Sequence, residues 1–190
     1  MRWLLPLFLI AATALSAAPE RYRLDGTASR IEFTFDLEGI ALDGQVPITS
    51  SDIVIDFDRL EQTEVRVGMH VARATTNIGF ATEAMRLPSM LNTGVYPEAS
   101  FVSRRVTRLG SGARLAGDLT LRGVTRPVVL DGAIFRRRGS EPGDLSDLVL
   151  LFEGVIDRHD FGASGYRHLV TPEVRLRILV AIVREDLRSR

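Results

Sequence analysis

The chain contains no cysteine and no lysine, so all 24 of its basic residues are arginine. Without a thiol it cannot form disulfides, thiolate zinc sites or iron–sulfur centres, and it has no cysteine nucleophile. Thiol-based redox chemistry and cysteine catalysis are therefore excluded. We attribute the missing lysine to codon bias, so a single arginine carries little functional information.

An excess of charge of one sign is also missing, because 24 acidic residues balance the arginines. Bulk charge therefore gives no reason to expect a nucleic-acid partner. Beyond residue 18 no apolar run is long enough to span a bilayer, so we expect no stable membrane span. A chain of 190 residues can bury the core of one domain without disulfides or metals.

Residues 1–18 have the layout of a secretory signal peptide. Arg2 supplies a positive charge, residues 3–14 are apolar but too short to cross a bilayer comfortably, and small residues follow. The sequence therefore predicts export, with cleavage within residues 16–18. Residues 19–190 are expected to form a single soluble domain.

Alternation of apolar and polar residues with a period of two dominates the rest of the chain. The clearest case is the last segment, where aliphatic side chains alternate with charged ones. The predicted strands cover residues 31–37, 52–58, 64–71, 113–122, 124–135, 147–156 and 173–184. About eight strands at this spacing predict an all-β sandwich or barrel.

One segment interrupts this strand pattern. Residues 78–91 have apolar side chains at mixed three- and four-residue spacing, which predicts a short helix interrupted at Pro88 that closes one end of a barrel. Asp56 and Asp58 alternate with apolar residues and are predicted to lie on a solvated strand face.

A closed barrel of about eight strands encloses either packed side chains or one small ligand. Both interpretations stay open at this point: the pattern alone favours a packed core, whereas flexible methionines beside the barrel mouth favour an adaptable pocket. The candidate lining residues of such a pocket are Phe33, Phe35, Phe80, Met85, Met90, Leu91, Phe101, Leu119, Leu121 and Phe161.

Catalytic arrangements are weak in this sequence. A triad of Ser164, His159 and Asp157 would be crowded on one loop with poor mutual geometry. A metal site at His159, Asp160 and His168 lacks the spacing that such ligands usually show. We therefore expect no enzyme activity, no metal and no cofactor, and a hydrolase is kept only as the least favoured alternative.

Three motifs resemble those of the YceI family. Residues 115–128 match Gly-x-Leu-Thr-x-x-Gly-Val-Thr-x-Pro-Val, residues 156–162 match Asp-Arg-x-Asp-Phe-Gly, and residues 96–103 match a Tyr-Pro-x-x-x-Phe-x-Ser strand. Residues 22–25 resemble the opening Tyr-x-x-Asp, and the likeness extends over residues 22–185.

The resemblance implies a lipocalin-like, extended eight-stranded antiparallel β-barrel with a short helical segment at one end. It also implies a periplasmic protein that holds a long apolar ligand, a polyisoprenoid or quinone-like lipid, and performs no catalysis. A packed barrel acting as an interaction or stress-related accessory protein is the alternative. Whether the protein is a monomer or a homodimer is left open.

The chain departs from the family pattern at polar positions. Ala28-Ser29 stands where the family usually has His-Ser, and residues 81–85 read Ala-Thr-Glu-Ala-Met instead of Arg-Asp-x-His-Leu. Met90-Leu91 replaces a pair of phenylalanines. Both histidines of the family pattern are therefore absent, and we expect the contacts with a ligand to be mainly apolar.

Overall fold

The computed structural model describes residues 19–136, 141 and 143–185, and the predicted signal peptide lies outside them. Within these residues the chain forms eleven strands, one α-helix and three short 3₁₀ helices. The strands are β1 (Glu20–Leu24), β2 (Arg30–Leu37), β3 (Ile40–Val46), β4 (Ile48–Ile55), β5 (Glu64–Met69), β6 (Thr75–Thr76), β7 (Ala99–Leu109), β8 (Gly112–Leu121), β9 (Val124–Arg136), β10 (Asp147–Asp157) and β11 (Val170–Arg184). Helix α1 is Gly79–Arg86, and the 3₁₀ helices are Leu60–Gln62, Val71–Arg73 and Arg158–Phe161.

The strands close into an eight-stranded antiparallel barrel, as predicted. Strands β1 and β2 are two halves of one wall strand, because both pair with β11. Strands β3 and β4 are likewise halves of the next wall strand, since β3 pairs with β2 and β4 with β1. The remaining wall strands β5, β7, β8, β9, β10 and β11 follow in chain order, each antiparallel to the one before.

The predicted strand at residues 52–58 is displaced in the structure, because β4 already ends at Ile55. The prediction that Asp56 is solvated is wrong: its side chain is 1% exposed. Its carboxylate accepts main-chain N–H bonds from Asp58 and Arg59, at 3.0 and 2.8 Å, and forms an ion pair with the Arg59 guanidinium. Asp56 therefore stabilises the turn that ends β4.

One end of the barrel, which we name the closed end, is filled by a compact apolar cluster. This cluster comes from the start of β1 and β10 and the end of β4 and β11, and comprises Tyr22, Ile53, Ile55, Leu148, Leu150 and Ile182. The opposite end, named the helical end, carries α1 and the connection from β10 to β11. The barrel is thus plugged by side chains at one end and covered by main chain at the other.

Tyr22 makes the closed end sensitive to alkaline pH. Its hydroxyl donates to the carbonyl oxygen of Leu145 at 2.9 Å, and burial raises the pKa of the phenol well above its ordinary value. A tyrosine in the unfolded chain ionises near pH 10, so the stability that protonated Tyr22 supplies is present below about pH 10 and is lost as the pH rises towards the folded pKa.

We expect Tyr22→Phe to lower the free energy of unfolding at neutral pH by about 1 kcal/mol, because one buried hydrogen bond is lost. The same change should flatten the decline of stability above about pH 10. Urea unfolding at neutral and alkaline pH measures both effects, with the exposed Tyr166→Phe as the control. If the free energy of unfolding declines above about pH 10 as steeply in Tyr22→Phe as in the wild type, Tyr22 is not the group responsible for that decline.

Candidate functional site

An apolar cavity of about 390 Å³ occupies the interior of the barrel. Every wall strand contributes lining side chains, and α1 and the β10–β11 connection contribute those at the helical end. The volume falls in the usual range for ligand sites, roughly 300–1,000 Å³. Of the two interpretations left open by the sequence, the structure shows the hollow barrel.

The lining is almost free of polar groups. Among the lining residues that the structure describes, only Thr63, Arg158 and Tyr166 carry a polar atom on the side chain. Thr63 lies towards the closed end and its hydroxyl accepts the main-chain N–H of Asp56 at 3.3 Å. The other two lie at the helical end, so polarity in the cavity is concentrated there.

The strand period explains how the same strands present this apolar lining and a charged outer face. In β8, Leu115, Leu119 and Leu121 line the cavity. Arg114 and Asp118, at alternate positions of the same strand, pair with Asp131 and Arg104 on the outer face. Successive side chains of a strand point to opposite faces, so one alternating segment specifies both the apolar interior and the charged exterior.

Three lining phenylalanines rest against glycines of the neighbouring strand. The pairs of ring and glycine are Phe33 with Gly44, Phe101 with Gly117, and Phe152 with Gly132. A Cβ at any of these glycines would overlap the ring. The missing side chain therefore lets each ring lie against the wall, which keeps ring volume out of the centre of the cavity.

Helix α1 covers the helical end of the cavity. The Thr82 hydroxyl accepts the main-chain N–H of Thr76 at 2.8 Å and so holds the first turn of the helix against β6. The helix ends at Arg86 because Leu87 precedes a proline and takes an extended backbone. Met85 is buried below the helix, while Phe80 is 66% exposed at the opening of the cavity.

Arg158 holds the β10–β11 connection in place. The side chain is 5% exposed and lines the cavity. Its guanidinium donates to four main-chain carbonyl oxygens, those of Ala163, Gly165, Val170 and Thr171, at 2.6, 2.8, 2.9 and 2.9 Å. Burial lowers the pKa of this guanidinium from its ordinary value. An arginine pKa lies so far above neutrality that the group stays charged at pH 7.

The segment after α1 is fastened to this connection and to the β8–β9 turn. The N–H of Gly165 donates to the carbonyl oxygen of Ser89 at 2.7 Å. The guanidinium of Arg122 donates to the carbonyl oxygen of Pro88 at 2.9 Å. The cover of the cavity is therefore tied to the wall by hydrogen bonds as well as by apolar contact.

The structure brings most of the predicted lining residues together. The residues that line the cavity are Phe33, Phe35, Phe80, Met85, Met90, Leu91, Phe101, Leu119 and Leu121. Phe161 was expected among them, but it is 1% exposed and packs in the barrel core outside the lining. It belongs to a 3₁₀ helix rather than a strand, so its direction does not follow the alternation. Contact of the lining residues with a ligand stays a prediction.

Sequence reasoning missed Phe152 and Arg158 as cavity residues. Phe152 could have been found, because it continues the inward alternation of Leu148 and Leu150 along β10. Arg158 makes four carbonyl contacts that give it a structural role, and the alternation pattern gave no signal of its place in the lining. The adjacent Asp157 caps the 3₁₀ helix by accepting the His159 N–H at 2.7 Å.

The residues considered for hydrolysis do not assemble. His159 Nδ1 lies 3.8 Å from an Asp157 carboxylate oxygen, and its buried Nε2 has no hydrogen-bond partner in the described part of the chain. No hydrogen bond joins Ser164 to His159 within residues 143–185. The described residues also contain no group of three histidine, aspartate or glutamate side chains placed to hold a metal ion.

Comparison with known proteins identifies the family. The YceI-like domain profile matches residues 22–182. The chain belongs to the YceI family. The UPF0312 protein plu2095 of Photorhabdus laumondii subsp. laumondii is 30% identical over 182 residues, which is 94% of this chain and 93% of that protein. This YceI-family chain therefore matches such relatives over nearly their full length.

Solved structures show the same fold. BcnA of Burkholderia cenocepacia superposes with a TM-score of 0.74 at 16% identity, covering 84% of this chain and 99% of that one. A polyisoprenoid binding domain from Saccharophagus degradans, implicated in plant cell wall breakdown, gives 0.60 at 15% identity, covering 87% and 99%. None of the helices described in this YceI-family structure is long and apolar enough to cross a membrane.

Proposed function

We propose that this YceI-family protein is a periplasmic carrier that holds one long apolar chain, a polyisoprenoid or quinone-like lipid, inside its barrel. The observation that carries this proposal is the cavity of about 390 Å³ with an almost wholly apolar lining. The signal-peptide layout of residues 1–18 supports export. The Saccharophagus relative, described as a polyisoprenoid binding domain, supports the ligand class.

The shape of the cavity favours an extended chain over a compact ligand. Lining residues in β11 run from Val170 to Val180. Ten residues at about 3.3 Å each, tilted by roughly 40°, span about 25 Å along the barrel axis. A cavity of about 390 Å³ that extends over this length suits one extended hydrocarbon chain.

Binding of this kind needs no catalytic group. Burial of a hydrocarbon tail stabilises the complex by roughly 25 cal/mol for each Å² removed from water. The lining supplies that apolar surface without a reactive side chain, so storage or transfer of the lipid is the role that the residues support. The alternative of an interaction or stress-related accessory protein assumed a packed barrel. The cavity does not agree with that assumption.

Expression of the full chain with residues 1–18 attached tests the proposal. We expect native mass spectrometry of the periplasmic fraction to show a chain cleaved within residues 16–18 that carries a co-purifying lipid. The delipidated protein should bind prenyl alcohols with an affinity that rises with chain length until the cavity is filled. Retention in the cytoplasm would contradict the carrier role, and failure to take up any prenyl alcohol would contradict the ligand class.

A further inference from the structure

The barrel wall has a gap on one side, which we name the lateral gap. Pairing of β2 with β3 ends at Ile31 and Val46, and pairing of β1 with β4 resumes only at Tyr22 and Ile53. Within the described residues no main-chain hydrogen bond joins residues 23–30 to residues 47–52. The two wall strands therefore separate halfway along the barrel.

The wall on either side of the lateral gap is intact. The turn between β1 and β2 stays bound to β11, because the Asp25 N–H donates to the Ala181 carbonyl oxygen at 2.9 Å. On the other side β4 stays paired with β5, apart from one bulge between Ile48 and Ser50. The separation is thus confined to the boundary between the two broken strands.

A second interruption of pairing in the wall does not open the barrel. The β9–β10 ladder ends at Asp131 and Glu153, below the helical end. A Cβ built at Gly154 would lie 2.8 Å from the carbonyl oxygen of Val129 and 2.6 Å from a methyl group of Leu130. The two strands remain in close contact there, whereas the lateral gap contains open space.

That open space is a recess of about 340 Å³, which we name the lateral recess. Its floor consists of Leu24, Ile31, Val46 and Ile48, and all four also line the central cavity. Its rim consists of Gly26, Ser29, Arg30, Gln45, Pro47, Arg73 and Thr75. A polar recess outside the wall and the apolar cavity inside it therefore share the same four side chains.

The rim of the lateral recess is cationic. It contains two arginines and no acidic side chain. Arg30 pairs with Glu32 at 2.9 Å. The guanidinium of Arg73 has no ion pair or hydrogen bond to any residue that the structure describes. Arg73 is exposed at the rim, and the exposed Thr75 lies on the same rim. The hydroxyl of Ser29 is instead bonded to the main chain of Ala181.

We propose that the lateral recess is a binding site for the anionic head group, a phosphate or a carboxylate, of an amphiphile whose tail enters the cavity through the lateral gap. The part played by the tail rests on the proposed function. The planar guanidinium of Arg73 matches a phosphate or carboxylate with two parallel hydrogen bonds. The tail passes between the four floor residues and continues into the apolar lining.

The helical end is less suited to an anion. Its cation, Arg158, already donates to four carbonyl oxygens of the chain. Four of the five N–H groups of that guanidinium are therefore committed. The guanidinium of Arg73 makes no hydrogen bond to a described residue, and Arg73 lies at the rim of the lateral recess beside the lateral gap.

Titration of delipidated protein with oleate and with oleyl alcohol tests the site, because the two probes share a tail and differ in head-group charge. We expect Arg73→Glu to weaken oleate binding about tenfold or more, the loss of a charge-assisted contact, and to change oleyl alcohol binding less than about twofold. Arg73→Lys should retain most of the oleate affinity. The control Arg108→Glu, at an exposed arginine of β7, should change neither.

The outcomes separate the two proposals. Oleate binding unaffected by Arg73→Glu, or equal losses for both probes, would overturn the head-group site while leaving the barrel as the tail site. Failure of the wild type to bind either probe would instead contradict the proposed function. Oleyl phosphate in a parallel titration distinguishes the head groups: a larger effect of Arg73→Glu on it than on oleate assigns the recess to phosphate.

Discussion

Replacement of Leu115 by tryptophan should abolish lipid binding while leaving the barrel folded. Leu115 is 5% exposed and lines the cavity from the middle of β8. An indole ring at this position projects into the space that a hydrocarbon tail would occupy. Because the ring enters an existing cavity, we expect a stability loss at the low end of the overpacking range, about 1 kcal/mol. The loss of affinity for a prenyl alcohol should be at least about a hundredfold, some 2.7 kcal/mol.

The neighbouring Ala116 offers a matched control. It lies on the same strand and points to the outer face, because successive strand residues alternate. Ala116→Trp adds an indole ring of the same kind outside the barrel and should bind prenyl alcohols like the wild type. Fluorescence titration, with thermal unfolding of both variants, separates blocked binding from lost folding. Undiminished binding by a folded Leu115→Trp would place the lipid somewhere other than the barrel interior.

The fold was largely predictable because the two faces of its strands differ so strongly in polarity. In β11, Val174, Leu176 and Ile178 face the interior and charged residues face solvent, so the alternation is clear over residues 173–178. Strand β3 was not predicted, because Asp43 and Gly44 interrupt its apolar residues. The buried state of Asp56 was missed for a related reason: its partners are main-chain N–H groups of a turn, which alternation does not reveal.

The candidate site was predictable only in part, because its shape depends on pairing between strands. The alternation places Phe33 and Phe101 on the inner face, yet it does not show that Gly44 and Gly117 lie beside their rings. That pairing decides whether the rings fill the barrel or rest against its wall. The lateral gap depends in the same way on the register between β1/β2 and β3/β4, which no local pattern contains.

Replacement of Arg158 by methionine should be among the most destabilising single changes in this protein. The substitution removes four hydrogen bonds and leaves the carbonyl oxygens of residues 163, 165, 170 and 171 without this donor. A buried polar group left unsatisfied costs about 1–3 kcal/mol, and relaxation of the connection will hydrate some of these oxygens. We therefore expect a loss of roughly 3 kcal/mol in the free energy of unfolding, or about 6–12 °C in melting temperature.

Arg158→Lys separates the role of the donors from that of the charge. Lysine keeps the positive charge but carries three N–H donors on one nitrogen, so it cannot reach four carbonyl oxygens that surround a planar guanidinium. We expect it to recover less than half of the lost stability. Arg175→Met, on the outer face of β11, is the control and should change stability by less than about 0.5 kcal/mol. Full recovery by lysine would mean that Arg158 acts through its charge, and the carbonyl contacts would then contribute little to the stability of the helical end.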